Sequence, residues 1–284
     1  VAPTSGATTV TVHGENFYQG RSLQCRFGSN RASRGRFVSG NQIRCTTPRS
    51  APANVTFSIT MNGEEYLDSG LSFIFREHVS VTELHPTLGP VSGNTHVTVY
   101  GSFENVPYTC KFGYNLVPAR FLTHTTRSCR SPSGREGVTA VEISTNQIDW
   151  TKNRKKFYYH PRQTLTSFLP STGTLEGQTL VQVFGSNFQN APLHCKFGSQ
   201  IVKGSVVDSN LALCNAPVRQ APGSVSFEIT QNSQDYSDSG LVYLYHDIII
   251  NHFDPPGGPS TGGTQVHISG SGFLNLNTLR CKFS

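Results

Sequence analysis

The chain has 284 residues, among them 59 Ser and Thr, 27 Gly, 16 Pro, 7 Cys, one Met and one Trp, and its formal net charge is +6. No apolar run approaches the ~18 residues of a membrane helix. Leu, Ala, Glu and Lys are sparse, which argues against a helical bundle or coiled coil, and 10% aromatic residues argue against disorder. Val, Thr, Phe, Tyr and Gly favour strands and turns instead.

Read in chain order, the first strand is Val10-Thr11-Val12-His13, closed by Gly14 and followed by Phe17. Next comes Cys25-Arg26-Phe27-Gly28, then a variable pair of strands, then Cys45 shortly before Pro48. The alternating strand Val55–Ile59 and the aromatic strand Leu71–Phe75 end the unit. A second unit opens with the alternating strand Val79–Leu84 and the turn His85–Pro90. It then repeats the order with Val97–Tyr100, Gly101, Phe103, Cys110-Lys111-Phe112-Gly113, Cys129, Pro132 and Lys156–Tyr159. The third repeats it with Val181–Phe184, Gly185, Phe188, Cys195-Lys196-Phe197-Gly198, Cys214, Pro217 and Leu241–Tyr245. The fourth starts with Val266–Ser269, Gly270, Phe273 and Cys281-Lys282-Phe283-Ser284.

A period of about 85 residues therefore organises the chain. The boundaries predicted from it are 1–78 (without an opening strand), 79–161, 162–246 and a partial repeat over 247–284. Seven or so short strands per repeat indicate tandem β-sandwiches, all-β and arranged end to end with almost no linker. The four Phe residues are expected to plug the cores, and the four glycines to permit a bend after the Val-rich strand. Without an initiating Met or signal peptide, and with the array cut at both ends, the chain reads as a segment of a longer repeat protein. The open edge of repeat 1 leaves strand exchange between subunits as a mode of assembly.

Seven cysteines in three pairs and an orphan read as a disulfide array. The expected bridges are Cys25–Cys45, Cys110–Cys129 and Cys195–Cys214, with the partner of Cys281 outside the chain. Zinc would require ligands clustered at closer spacing, and none are. The pairs place the chain in an oxidising compartment, extracellular or at a cell surface. There Asn54-Val55-Thr56, the one N-glycosylation sequon, is expected to carry glycan.

No catalytic motif is present. His78, His160 and His246 fall at repeat ends, and His85 and His252 at matching turns, so they read as packing residues. Glu64-Glu65 and Asp235/Asp238 lack a cleft that would hold them as a glycosidase pair. Asp68-Ser69-Gly70 and Asp238-Ser239-Gly240 read as turns rather than calcium ligands, and Asp149-Trp150-Thr151 in repeat 2 has no evident match to them. Neither cofactor nor metal is expected. Charges are spread along the chain, densest over Arg21–Arg49 and Lys152–Arg162, and both stretches read as solvated strand faces with no nucleic-acid motif.

Pro-x-x-Gly, Gly-x-Thr, the Val-rich strand, Gly-x-x-Phe, Cys-Lys-Phe-Gly, the second Cys before Pro and the aromatic closing strand together resemble IPT/TIG domains. These are the immunoglobulin-like domains of plexins, the hepatocyte-growth-factor receptor class and some transcription factors. Residues 257–264 match the family's opening best, while repeat 1 departs at Thr8-Thr9 and repeat 2 at Asn94. The Asp-Ser-Gly-Leu form is similar to multi-repeat surface proteins of protists and algae. The resemblance implies a non-catalytic extracellular repeat protein, structural or adhesive, that self-associates into filaments or binds other surface proteins. A receptor stalk is the alternative. Tandem repeats with paired cysteines count against nucleic-acid binding.

Overall fold

The computed structural model describes residues 1–29, 32–274 and 279–283; Ser284, which ends the fourth cysteine motif, lies outside the described residues. Among the described residues every regular element is a strand. The chain divides into two units, Val1–Tyr159 and His160–Ser284.

Repeat 1 contributes β1 (Ala2–Pro3), β2 (Thr9–His13), β3 (Gln24–Phe27), β4 (Ser33–Arg34), β5 (Arg36–Ser39), β6 (Gln42–Thr46), β7 (Ala53–Thr60) and β8 (Leu67–Arg76). They form one layer in the order β1-β8-β7-β3-β4 and a facing layer in the order β2-β6-β5. Repeat 2 contributes β9 (Val81–His85), β10 (Leu88–Pro90), β11 (His96–Gly101), β12 (Tyr108–Phe112), β13 (Asn115–Thr123), β14 (Thr126–Arg130), β15 (Gly137–Ser144) and β16 (Lys155–His160). Here the long β13 pairs with β12 at one end and β14 at the other, so it passes from one layer to the next. The eight strands run β10-β16-β15-β12-β13-β14-β11-β9.

Repeat 3 has the corresponding β17 (Thr164–Leu169), β18 (Thr172–Thr174), β19 (Leu180–Ser186), β20 (Leu193–Phe197), β21 (Gln200–Val206), β22 (Leu211–Asn215), β23 (Gly223–Thr230) and β24 (Val242–His246). Its crossing strand is β21, paired with both β20 and β22. Repeat 1 makes the same crossing at Gly35, between β4 and β5, where a Cβ would stand 2.6 Å from Leu23 Cγ. The fold is a series of immunoglobulin-like sandwiches, each with its own core. The described part of repeat 4 is one antiparallel pair, β25 (Ile249–Asp254) with β26 (His267–Ser271).

Alternation produces these cores. In repeat 2, Val97 and Val99 on β11, Cys110 and Phe112 on β12 and Val141 and Ile143 on β15 point inward, all nearly inaccessible. Between them Thr98, Lys111 and Glu142 stand on the other side of their strands, partly exposed. Aromatic edges meet faces between strands of one layer, as for Phe112 on β12 and Phe157 on β16 at 5.5 Å and for Phe197 on β20 and Tyr243 on β24 at 5.2 Å.

The glycines after the Val-rich strands leave no room for a Cβ, and at Gly101 the register of β11 against β9 also shifts, between Tyr100 and Gly101. A Cβ at Gly14, Gly101 or Gly185 would lie 2.7, 2.9 or 2.7 Å from the ring tip of Phe17, Phe103 or Phe188. At Gly101 it would also lie 2.5 Å from the carbonyl oxygen of Ser80. Phe103 and Phe188 are buried and Phe17 packs on its core, but Phe273 is 41% exposed. The expectation that Phe273 plugs a core is therefore corrected: the β25–β26 pair has no facing layer among the described residues to cover that ring.

The Gly-x-Thr turn is built alike in each repeat. Gly6, Gly93 and Gly177 have φ of 71°, 75° and 70°, and the residue after each is also left-handed: Ala7, Asn94 and Gln178, at 66°, 78° and 59°. A Cβ on any of these glycines would strike the backbone of Pro48, Pro132 or Pro217, beyond the second cysteine. Repeat 1 thus follows the same turn geometry, and Ala7, Asn94 and Gln178 share a conformation costly for a residue with a Cβ. Thr8 takes the regular place of Thr95 and Thr179.

Candidate functional site

Disulfides join Cys25 to Cys45, Cys110 to Cys129 and Cys195 to Cys214, at Cα separations of 6.0, 6.3 and 6.2 Å, within the span a bridge allows. Each ties the Cys-Arg/Lys-Phe strand to the second-cysteine strand of the same sandwich. Cys281 is free and exposed. Asn54 and Thr56 are both exposed on β7, two residues apart and on the same side of the strand.

Of the histidines singled out above, His160 is buried, while His78, His85 and His252 are exposed. Among the described residues no three His, Cys, Asp or Glu side chains converge to hold a metal ion.

The polar chemistry concentrates in a turn that recurs after β7, β15 and β23. Asn62 Oδ1 accepts from the amides of Glu64 and Glu65. Asn146 Oδ1 accepts from Ile148 and Asp149, and Asn232 Oδ1 from Gln234 and Asp235. Such Asx turns close a loop without help from the rest of the fold. They place an acid at Glu65, Asp149 or Asp235 and an aromatic ring at Tyr66, Trp150 or Tyr236. A cation from the first-cysteine strand lies over each ring: Arg26 at 3.9 Å, Lys111 at 4.5 Å and Lys196 at 4.9 Å. Asp149-Trp150 therefore does have counterparts, in Glu65-Tyr66 and Asp235-Tyr236. Glu64-Glu65 and Asp235 are turn residues rather than a catalytic pair. The signal that would have found them is Thr/Ser-x-Asn-x-x-acid-aromatic, read at the repeat period.

In repeat 2 this turn meets repeat 1. Thr8, 2% exposed, donates from Oγ1 to Asp149 Oδ2 at 2.7 Å. Asn146 Nδ2 donates to the same carboxylate oxygen at 2.7 Å and to the Val1 carbonyl at 2.9 Å. On the other side, Arg76 at the end of β8 pairs with Glu104 in the loop after β11. The Glu104 carbonyl accepts in turn from Arg127. Between these two contacts lies a cleft of about 50 Å³, lined by Pro3, His78, Tyr108 and Trp150 among others.

Arg127 is the residue that sequence reasoning passed over. It sits on β14, two residues before Cys129, where repeat 1 has Ile43 and repeat 3 has Ala212. It is 1% exposed, and its guanidinium lies 4.6 Å from the Tyr108 ring centre, 4.5 Å from Phe121 and 5.6 Å from Phe103. Nε has no hydrogen-bond partner among the described residues. Burial pulls the guanidinium below its ordinary pKa, with Tyr108 opposing the shift. The three aromatic rings and one carbonyl replace its water.

Tyr159 and Tyr245 end the closing strands and donate to Pro132 O at 2.9 Å and Pro217 O at 3.0 Å, where repeat 1 has Phe75. Burial pushes both phenols up to about 12. Between the ordinary value near 10 and 12 the folded chain holds protons that the unfolded chain releases. The stability they contribute is fully present below pH 10 and is lost as pH rises through 12. We expect repeats 2 and 3 to melt at progressively lower temperature over that interval. Tyr159→Phe should flatten the dependence for repeat 2, as followed by amide exchange in its β11 and β15. A dependence unchanged by the substitution would place the titrating group elsewhere.

Comparison with known proteins gives three matches to the IPT/TIG domain, over residues 1–75, 80–159 and 164–245. Mouse (Mus musculus) fibrocystin-L is 23% identical over 96% of this chain, which spans 6% of that protein. Rat (Rattus norvegicus) plexin-A3 is 21% identical over 72% of the chain, which spans 12% of it. A solved structure of the plexin A4 full extracellular region aligns with 93% of the chain and 26% of its own length, at 18% identity and a TM-score of 0.45. These relatives are animal proteins rather than protist or algal ones, and the chain spans a small part of each. Its three disulfides belong to an oxidising environment, and the chain is extracellular or at the cell surface. By three tandem matches that cover most of its length, the chain belongs to the IPT/TIG domain family.

Proposed function

We propose that the chain is a non-catalytic spacer in the outer part of a longer, receptor-type protein, holding binding domains of that protein at a set distance. The observation that carries this reading is the junction of repeats 1 and 2, where Thr8 and the Val1 carbonyl are fastened to the Asn146–Asp149 turn. A spacer needs such fastening, because a bare linker of a few residues leaves its neighbours free to swing. The relatives support it as well, since this chain matches only a short section of each.

Spin labels at Val38 and Val138, both exposed, in a Cys281→Ser background would measure the junction directly. We expect a narrow distance distribution in the parent chain. It should broaden in Thr8→Val, which removes the part-buried hydrogen bond to Asp149 and about 1 kcal/mol. A broad distribution in the parent would reject a spacer role.

A filament or adhesive coat built by lateral contact is the second reading. What favours it is an exposed apolar side chain at matching places in two repeats, Leu116 at 49% and Ile201 at 52%. Those residues face Lys111 and Lys196 across equivalent hairpins. Sedimentation over a concentration series separates the readings: a single slow species supports the spacer, and growing polymers that Leu116→Ser/Ile201→Ser abolishes support the filament.

A further inference from the structure

The net charge of the chain is not spread as the residue list suggests. Residues 1–49 hold seven arginines and one acid, Glu15, whereas residues 50–284 hold 16 basic and 16 acidic residues. The whole +6 therefore resides in one part of repeat 1. The fold then separates charge within that repeat. Glu64, Glu65 and Asp68 belong to the β7–β8 hairpin of one layer, while Arg36 and Arg44 lie on β5 and β6 of the other.

Arg36 and Arg44 are direct cross-strand partners, and both are exposed. Like charges opposite each other destabilise a sheet, because their side chains start from strands about 5 Å apart. Arg34, also exposed, follows two residues away along the crossing strand, on the other side of Gly35. Among the described residues the ion pairs are Arg76–Glu104 and Lys111–Glu142, so none of these three arginines is neutralised. The fold does not demand them. Strand register puts Pro118, Arg120 and Ser128 at the same places in repeat 2, and Lys203, Ser205 and Leu213 in repeat 3. Beside the arginine pair runs a row of exposed hydroxyls, with Thr11 opposite Arg44 and Thr9 opposite Thr46.

We propose that this corner of repeat 1, where Arg34 at the edge of one layer adjoins Arg36 and Arg44 of the other, binds a sulphated polysaccharide of the extracellular matrix. Three arginines whose side chains start from positions on the order of 5–7 Å apart along and across strands suit a linear chain with closely spaced sulphates, each able to take a forked pair of N–H bonds. An exposed sheet surface accepts a chain laid across it. The threonine hydroxyls supply partners for sugar hydroxyls. Extracellular location makes a sulphated polysaccharide, rather than nucleic acid, the polyanion at hand.

The test is binding of the whole chain to immobilised heparin oligosaccharide, with chemically desulphated heparin and polyglutamate as competitors. We expect Arg34→Ser/Arg36→Ser/Arg44→Ser to weaken binding at least tenfold, with a shallower salt dependence. Lysine at all three positions should keep most of the affinity. Lys152→Ser/Lys155→Ser/Lys156→Ser, in the other basic stretch, should leave it within twofold. Should the triple serine variant fail to fold, Arg36→Ser alone must still weaken binding. Equal losses from the arginine and lysine sets, no binding by the parent chain, or displacement by desulphated heparin or polyglutamate as effective as by heparin would each overturn the proposal.

Discussion

Removing the bridge of repeat 2 with Cys110→Ala/Cys129→Ala is expected to destabilise that repeat by about 3 kcal/mol, the entropy returned to the unfolded chain when a loop of 19 residues opens. Both cysteines are replaced so that no stray thiol can exchange with the exposed Cys281. Several sandwiches in one chain do not unfold as a single transition, so the measurement is local: amide exchange at Val97, Val99 and Ile143. Their protection should fall about a hundredfold, by the usual factor of ten per 1.4 kcal/mol. Protection in repeat 3 should stay as it was. Unaltered exchange in repeat 2 under oxidising conditions would mean the bridge adds nothing to the sandwich.

The second large effect is expected at Arg127. Arg127→Ala should cost repeat 2 about 3 kcal/mol, because it empties a buried site walled by Phe103, Tyr108 and Phe121 and deprives the Glu104 carbonyl of its donor. Arg127→Leu should cost far less, within about 1 kcal/mol of the parent. It refills the volume and removes a buried charge whose desolvation its surroundings only partly offset. Repeats 1 and 3 already close the same position with Ile43 and Ala212. Denaturation of the two variants distinguishes packing from charge: equal losses would show that the cation itself is required.

These two sites differ in how plainly the sequence announces them. The cysteines, the inward valines and the Gly–Phe pair recur because each sandwich must fill the same volume, and a period of 85 residues exposes any such demand. The sandwich class and the bridges were legible for that reason, whereas the strand that crosses between layers lies in the variable pair and was not. Arg127 was not, since a residue that departs from its own repeat leaves no periodic trace. The Asn62, Asn146 and Asn232 turns were hidden differently. Their polar residues look like ordinary loop composition, and only the hydrogen bonds reveal that one asparagine organises each loop. Phe273 misled because the pattern predicts burial only when a facing layer exists. Gly6 and Gly14 show a further limit: a motif marks where small residues are needed, while the reason, backbone contact with Pro48 or ring contact with Phe17, resides in three dimensions.

The position of the bridges has a mechanical consequence. When the chain is pulled from its two ends, a sandwich that gives way lengthens by the chain it releases. Each bridge spans 19 or 20 residues, and that stretch cannot pay out while the bond holds. At roughly 3.4 Å per extended residue, each bonded repeat withholds about 60 Å of slack. Pulling single molecules before and after reduction should show steps longer by that amount. In an oxidising environment the array therefore yields in short steps, and the local redox state sets how far a loaded tether can stretch.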